Sequence, residues 1–377
     1  MASKLRALCV IVAALVIMGA STAQGQIIYG QPAAAGTRLT LTHWEIKSDT
    51  FKTEVDQYSF PVTSFVPLGE NFEAQLYLAS ASSDLSVAGN DYKLTGIGDV
   101  RAQVSHSFSD DHLLISGGIS LPTGKKKLTF DEEWNVLQLL TQNFLSFPVR
   151  RLGEGFGFNG LVGGATMLGS VRAGAGLMYQ FNGKYTPYEG ADKYDPGDWI
   201  SVNGGLDGGS GSWLWTGNLI FTLYTADKYK GSKSFKQGTQ TELQFGVRTE
   251  KAESYAASLD LGYLLRGRNT RYQADETISE QLRLLGNEFN AGFSVMKYLG
   301  PNWFAGPSLD IRFVGEDERP ADEGLGSSNI LGIGGAFGRK LGKGLFDIGF
   351  TYYTGSADGG DMDITGYQLY TDLKLAL

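Results

Sequence analysis

The sequence predicts an all-β chain, a transmembrane antiparallel up-and-down β-barrel of about sixteen strands. Three observations predict it. Segments of ten or more residues alternate apolar with polar side chains, the connections between them alternate short with long, and glycine outnumbers proline 52 to 10 while charged residues make up only 19%. Glycine and aromatic enrichment with few helix formers favours strands and turns.

The N-terminus comes first. Lys4 and Arg6 precede an apolar run from Leu8 to Met18, and Ser21-Thr22-Ala23 places small residues ahead of Gln24. That three-part layout reads as a cleaved signal peptide over 1–23, leaving a single barrel domain over 24–377. The run is shorter than the roughly 20 residues a spanning helix needs. The only cysteine, Cys9, lies inside it, so the remainder holds no disulfide, thiolate nucleophile or cysteine-based metal site. The formal charge of −8 argues against a nucleic-acid partner. No later segment approaches 18 consecutive apolar residues, so any membrane span must be made by strands.

The strands follow. Along 255–265, Tyr255, Ala257, Leu259, Leu261, Tyr263 and Leu265 share one face, while Ser258, Asp260, Gly262 and Arg266 share the other. Side chains alternate with period two, so one set meets lipid and the other a polar interior. The same reading holds for 171–181, 243–248, 303–313 and 346–352. Candidate strands run over 37–47, 55–66, 72–84, 97–108, 112–121, 155–168, 171–182, 198–207, 213–226, 239–250, 254–267, 288–299, 303–314, 329–340, 345–355 and 364–377. Fourteen strands result if one hairpin is wrongly divided. A soluble β-sandwich is the rival fold. Strand length and the aromatics at strand ends (Trp213, Trp215, Tyr255, Trp303, Tyr367) favour the barrel with its interfacial girdle.

Connections give an independent test. The even ones are tight, among them Leu68-Gly69-Glu70, Ser109-Asp110-Asp111, Gly169-Ser170, Gly300-Pro301-Asn302 and Gly342-Lys343-Gly344. The odd ones are mostly long, as at 122–154, 183–197, 268–287 and 315–328, with 48–54 only moderately so. Short periplasmic turns and longer outer loops have this parity in outer-membrane barrels. The last strand places Tyr367, Leu369, Leu373, Leu375 and Leu377 on one face. It resembles the C-terminal strand that barrel assembly machinery recognises, although that pattern prefers a terminal aromatic. Lipid offers no hydrogen bonds, so the first strand must pair with the last.

The expected inward set carries charges of both signs: Glu73, Asp99, Arg101, Arg172, Glu242, Arg248, Asp260, Arg266, Asp310, Arg312, Asp347, Asp372 and Lys374. They either brace the wall as salt bridges or line a conduit that sets solute preference. One stretch, 131–145, breaks the strand pattern. Trp134, Leu137, Leu140 and Phe144 recur at helical spacing, and Thr129 with Glu132 reads as a capping box. This helix, in the longest outer loop, is a lid or constriction, or else it packs on the outer rim.

Two short motifs carry a family resemblance. Gly96-Ile97-Gly98-Asp99-Val100-Arg101 opens a strand after an expected long loop, and Leu121-Pro122-Thr123-Gly124-Lys125 ends the next. Together they resemble the barrel family of the putative MetA pathway of phenol degradation, related in type to FadL-like transporters. The resemblance implies passive uptake of small, poorly soluble molecules. Only about a dozen residues, 24–36, precede the first strand, too few for the N-terminal plug of FadL-like proteins.

Enzymatic readings find little. The histidines are His43, His106 and His112, and His106-Ser107 are strand neighbours that point to opposite faces. Asp358-Gly359-Gly360-Asp361-Met362-Asp363 lacks the spacing of a calcium loop and reads as an acidic outer loop. The expectation is therefore a non-enzymatic outer-membrane channel or transporter. It takes small solutes, hydrophobic or aromatic ones among them, and needs no cofactor or metal; its partners are membrane lipid, the solute and the assembly machinery. The alternative is a barrel with a structural or surface-binding role.

Overall fold

The computed structural model describes residues 34–68, 71–108, 112–125, 127–249, 254–319 and 326–376. The expected signal peptide, residues 69–70 of the second connection and 109–111 of the fourth lie outside them. In chain order the strands are β1 (Ala34–Lys47), β2 (Lys52–Pro67), β3 (Phe72–Val87), β4 (Asn90–Ile97), β5 (Val100–Phe108), β6 (Leu113–Leu121), β7 (Gly157–Leu168), β8 (Val171–Asn182), β9 (Tyr194–Asp195), β10 (Trp199–Ser210) and β11 (Trp213–Tyr224). They continue with β12 (Ala226–Tyr229), β13 (Ser232–Lys236), β14 (Gln240–Thr249), β15 (Tyr255–Arg266), β16 (Asn269–Tyr272), β17 (Ile278–Leu282), β18 (Glu288–Tyr298), β19 (Trp303–Val314), β20 (Ser328–Leu341), β21 (Gly344–Ala357) and β22 (Met362–Ala376). Helix α1 (Glu133–Leu140) falls between β6 and β7.

One antiparallel sheet closes on itself. Each wall strand pairs with its chain neighbour, and β1 pairs with β22 from Ala34↔Ala376 to Lys47↔Asp363. Its 17 strands make sixteen staves, because β4 and β5 both pair with β3 and form two halves of one stave. Closure leaves the wall no edge at the depth of its apolar belt, where each unpaired N–H or C=O would cost several kcal/mol. The alternation read on β15 is present: Tyr255 and Tyr263 are exposed on the outer face, and Gly262 is buried. Outward side chains such as Leu177, Leu219, Leu243, Phe293, Phe350 and Leu369 form the belt.

Four expectations need correction. The third connection is not a long loop over 85–96. Strands β3 and β4 continue to a two-residue turn, Ala88-Gly89, with both φ angles positive, 51° and 79°. Positive φ at both positions gives the primed turn whose twist suits a hairpin. The connections expected over 227–238 and 268–287 are also partly strand. β12, β13, β16 and β17 join β9 in a separate five-stranded sheet above the wall. Helix α1 is shorter than 131–145, ends at Leu140, and leaves Phe144 beyond it. Its reciprocal cap joins Thr129 to Glu133, not Glu132: Thr129 N donates to Glu133 Oε2 at 3.0 Å and Glu133 N to Thr129 Oγ1 at 3.2 Å.

Candidate functional site

The loop between β6 and β7 folds back against the inward face of the barrel. Val136 and Leu140 of α1, with Phe144, Leu145, Phe147, Val149 and Leu152 after it, are buried in one apolar cluster. Their partners are Trp44 and Ile46 of β1, Val55 of β2, Leu85 of β3, Leu94 of β4, Ile330 of β20 and Ile364 of β22. These wall residues all sit toward the long-loop end of their strands, on the face that is polar lower down. Trp134 and Leu137 pack at the rim of this cluster, and Trp134 also meets Tyr188 edge-on with ring centroids 5.2 Å apart. Trp44, 1% exposed, lies against Tyr353 at 5.0 Å.

Polar contacts tie the loop to the wall at three places. Gln57 of β2 donates to Val149 O at 2.7 Å and accepts from Val149 N at 3.1 Å, so a buried amide pairs with one buried peptide unit. Arg312 of β19 donates to Phe144 O at 3.0 Å. Asp99, in the break between β4 and β5, accepts from three backbone amides: Gly124 at 2.8 Å, Glu154 at 2.6 Å and Gly155 at 3.0 Å. Its carboxylate thereby joins both ends of the loop. The two ends cross at backbone distance. A Cβ on Gly124 would lie 2.0 Å from Leu152 O, which explains why glycine stands in the Leu121-Pro122-Thr123-Gly124 run.

The remaining charged positions fall into several settings. Arg38 holds Asp372 by two bonds, 2.7 and 3.2 Å, across the closing β1–β22 seam, and Lys374 reaches the same carboxylate at 3.3 Å. Asp347 stands in register beside Asp372 and is buried. Arg101 lies 3.4 Å from Glu154, and Glu154 also takes Arg151 at 2.9 Å. Arg266 bonds Glu288 at 2.7 Å and Gly286 O at 2.6 Å. Glu242 accepts from Gln244 at 2.7 Å, and Glu73, buried, accepts from Gln75 at 3.4 Å. Arg172 stands opposite Asp207 in the β8–β10 register, Arg248 opposite Ser258, and Asp260 and Asp310 face Gly292 from either side.

Beside the loop remains a cavity of about 1000 Å³, lined by β1–β3, β5–β8, β10 and β22. Among the thirteen charged positions read from sequence, Arg101, Asp372 and Lys374 line it; Arg38, Glu154, Tyr77 and Trp199 line it too and were not singled out. Arg38 was legible as an inward residue of β1 once register is known, but its role depends on the seam with β22. His106 is on the outer face, stacked on Phe72 at 4.1 Å, while Ser107 beside it is buried inside, so the two side chains do not meet. No cluster of potential metal ligands occurs among the described residues.

Outside the belt, the hairpin β16–β17 is pinned by Glu318. Its carboxylate accepts from the Arg283 amide at 3.1 Å and pairs with Arg268 at 2.8 Å and with the Arg283 guanidinium at 3.0 Å. The amide bond first, then the Arg268 guanidinium, hold its pKa down to about 2.

No family model matches the chain, and no curated protein sequence does. Solved structures that it resembles in shape include a FadL homologue of Pseudomonas aeruginosa, at 6% identity and TM-score 0.45, covering 92% of this chain and 90% of that one. Others are the CymD monoaromatic hydrocarbon channel (13%, TM-score 0.42, 92% and 89%) and an outer-membrane channel of Pseudomonas putida F1 (10%, TM-score 0.37, 92% and 96%). At such identities and scores the likeness decides nothing about function, which is read from the barrel's own geometry.

Proposed function

We propose that the protein is an outer-membrane channel that admits small solutes passively, aromatic or hydrophobic ones among them, past a constriction made by residues 122–156. One observation carries this reading. The inserted loop narrows a sixteen-stave lumen without filling it, leaving a cavity of about 1000 Å³ with mixed polar and aromatic walls. Sixteen staves enclose an aqueous interior unless something occupies it. The apolar outward belt supports residence in a bilayer, and the short-turn and long-loop ends support a periplasmic and an outer face. On this reading the thirteen inward charges line or brace the conduit, and Trp134, Leu137, Leu140 and Phe144 hold the constriction in place. The resemblance carried by residues 96–101 and 121–125 points to the same class of solute.

Planar-bilayer recording tests the reading. The intact protein should give discrete conductance steps. Asp99→Ala removes an acceptor shared by three amides, so it should loosen both ends of the loop and raise or destabilise the open level. A folded barrel that conducts in neither form would overturn the channel and favour a structural or surface-binding role.

A further inference from the structure

The cavity's charges are unevenly presented. Three cations line it, Arg38, Arg101 and Lys374, against two carboxylates, Asp372 and Glu154. Asp372 is sheathed at 5% exposure, whereas the Arg38, Arg101 and Lys374 side chains are 43%, 58% and 58% exposed. Asp347, next to Asp372, is buried and does not line the cavity. Glu154 is 42% exposed, so one accessible carboxylate stands against three accessible cations, and a solute in this space meets guanidinium and ammonium groups more than carboxylate oxygens. This occurs in a chain whose formal charge is −8.

We propose that the cavity binds small organic carboxylates, aromatic ones above all. The proposal deepens the channel reading by naming its solute class. Each carboxylate that lines the cavity is shared by two cations: Asp372 by Arg38 and Lys374, Glu154 by Arg101 and Arg151. Each site thus keeps donor capacity for an incoming anion. The Arg101–Glu154 pair is exposed on both sides, and pairs of this kind are worth only about 0–1 kcal/mol, so a soluble carboxylate competes with it. Guanidinium groups match carboxylate geometry with two parallel bonds. Arg38 uses two of its five N–H donors on one oxygen of Asp372, Oδ2, and keeps the others. The carbon body of the solute has its own partners in the same cavity, Phe65, Tyr77, Phe156, Met178 and Trp199. The register Gly36↔Thr63, Thr63↔Tyr77 and Tyr77↔Arg101 sets the Arg38 and Arg101 regions three strand steps apart, about 14 Å along the wall. Two separated anion contacts let a solute be handed on instead of trapped, which conduction requires.

Benzoate, benzylammonium and benzyl alcohol share a ring and differ in charge. Titration calorimetry on the detergent-solubilised full barrel should find benzoate bound at least about tenfold more tightly than either of the others. Arg101→Gln combined with Lys374→Gln should remove that preference while heat-modifiable gel migration shows the barrel folded. Should that variant not fold, the intact protein still decides. Its benzoate affinity must fall from low to high salt, as screened ionic contacts do. Equal or tighter binding of benzylammonium, an unchanged preference in the folded double variant, or a salt-independent affinity overturns the proposal. Bilayer recording separates this failure from that of the channel. Current without benzoate preference sinks the carboxylate site alone, and benzoate binding without current sinks the channel alone.

Discussion

The membrane belt and the collar above it are built from the same strands with opposite polarity. In the belt, outward residues are apolar, such as Leu259, Leu261 and Phe245, and inward ones are polar, such as Asp260 and Gln244. In the collar, at the long-loop ends of β1–β4, the outward face carries Lys52 between Glu45 and Glu54, Asp56 beside His43, and Lys93 on Asp84. There the inward face is Trp44, Ile46, Val55, Leu85 and Leu94. The solvent on each side explains the inversion. Belt strands meet hydrocarbon outside and water inside; collar strands meet water outside and the inserted loop inside. A closed strand register transmits no preference for which face is apolar, so each level takes its pattern from its surroundings.

Substitutions in the belt and in the collar should have unequal costs. The largest effect is expected inside the collar. Leu140→Ala empties a site packed on wall residues and should cost about 2–5 kcal/mol of loop docking. Near-ultraviolet circular dichroism of the Trp44–Tyr353 environment on heating would record it, and an unchanged melt would mean the loop does not depend on that contact. Next comes the belt. Leu261→Arg faces lipid at mid-strand and should cost about 2–4 kcal/mol, read by denaturant unfolding in vesicles. Ser82→Arg, on the outward face of the collar, should stay within about 0.5 kcal/mol. Equal costs at the two positions would erase the distinction between belt and collar.

The smallest effect concerns the loops. Glu318 has a folded pKa near 2, below its ordinary 4.5, because the Arg283 amide and Arg268 favour the carboxylate. A depressed carboxyl pKa stabilises the fold above the ordinary value, and that contribution is lost as pH falls from 4.5 through 2. Hydrogen exchange at the Arg283 amide should therefore quicken across that window after correction for intrinsic rates. No change there would show that the ion pairs do not hold this hairpin.

Belt strands were legible because lipid imposes a period-two pattern along their full length. The reading weakened wherever the environment changed. Residues 85–96 looked like a loop because Asp84, Ser86, Asp91 and Lys93 are polar, yet they form a hairpin whose outward face is wet. The connections expected over 227–238 and 268–287 also held short strands. Trp134, Leu137 and Leu140 were recognised as an apolar helical stripe, but their partners lie on wall strands remote in sequence, from Leu94 of β4 to Ile364 of β22. Gln57 gave no signal at all, since a strand glutamine is ordinary until a loop peptide lies against it.

The sequence alone determined that the chain forms long amphipathic antiparallel strands joined by alternating short and long connections, because nearest-neighbour pairing and side-chain period are local properties. Only the tertiary structure decided which residues share the interior. Closing β1 on β22 brings Arg38 to Asp372 across more than three hundred residues, and docking of the 122–156 loop chooses which stretch of lumen stays open. Both depend on contacts between segments remote in sequence, where no periodicity along one strand specifies the partner.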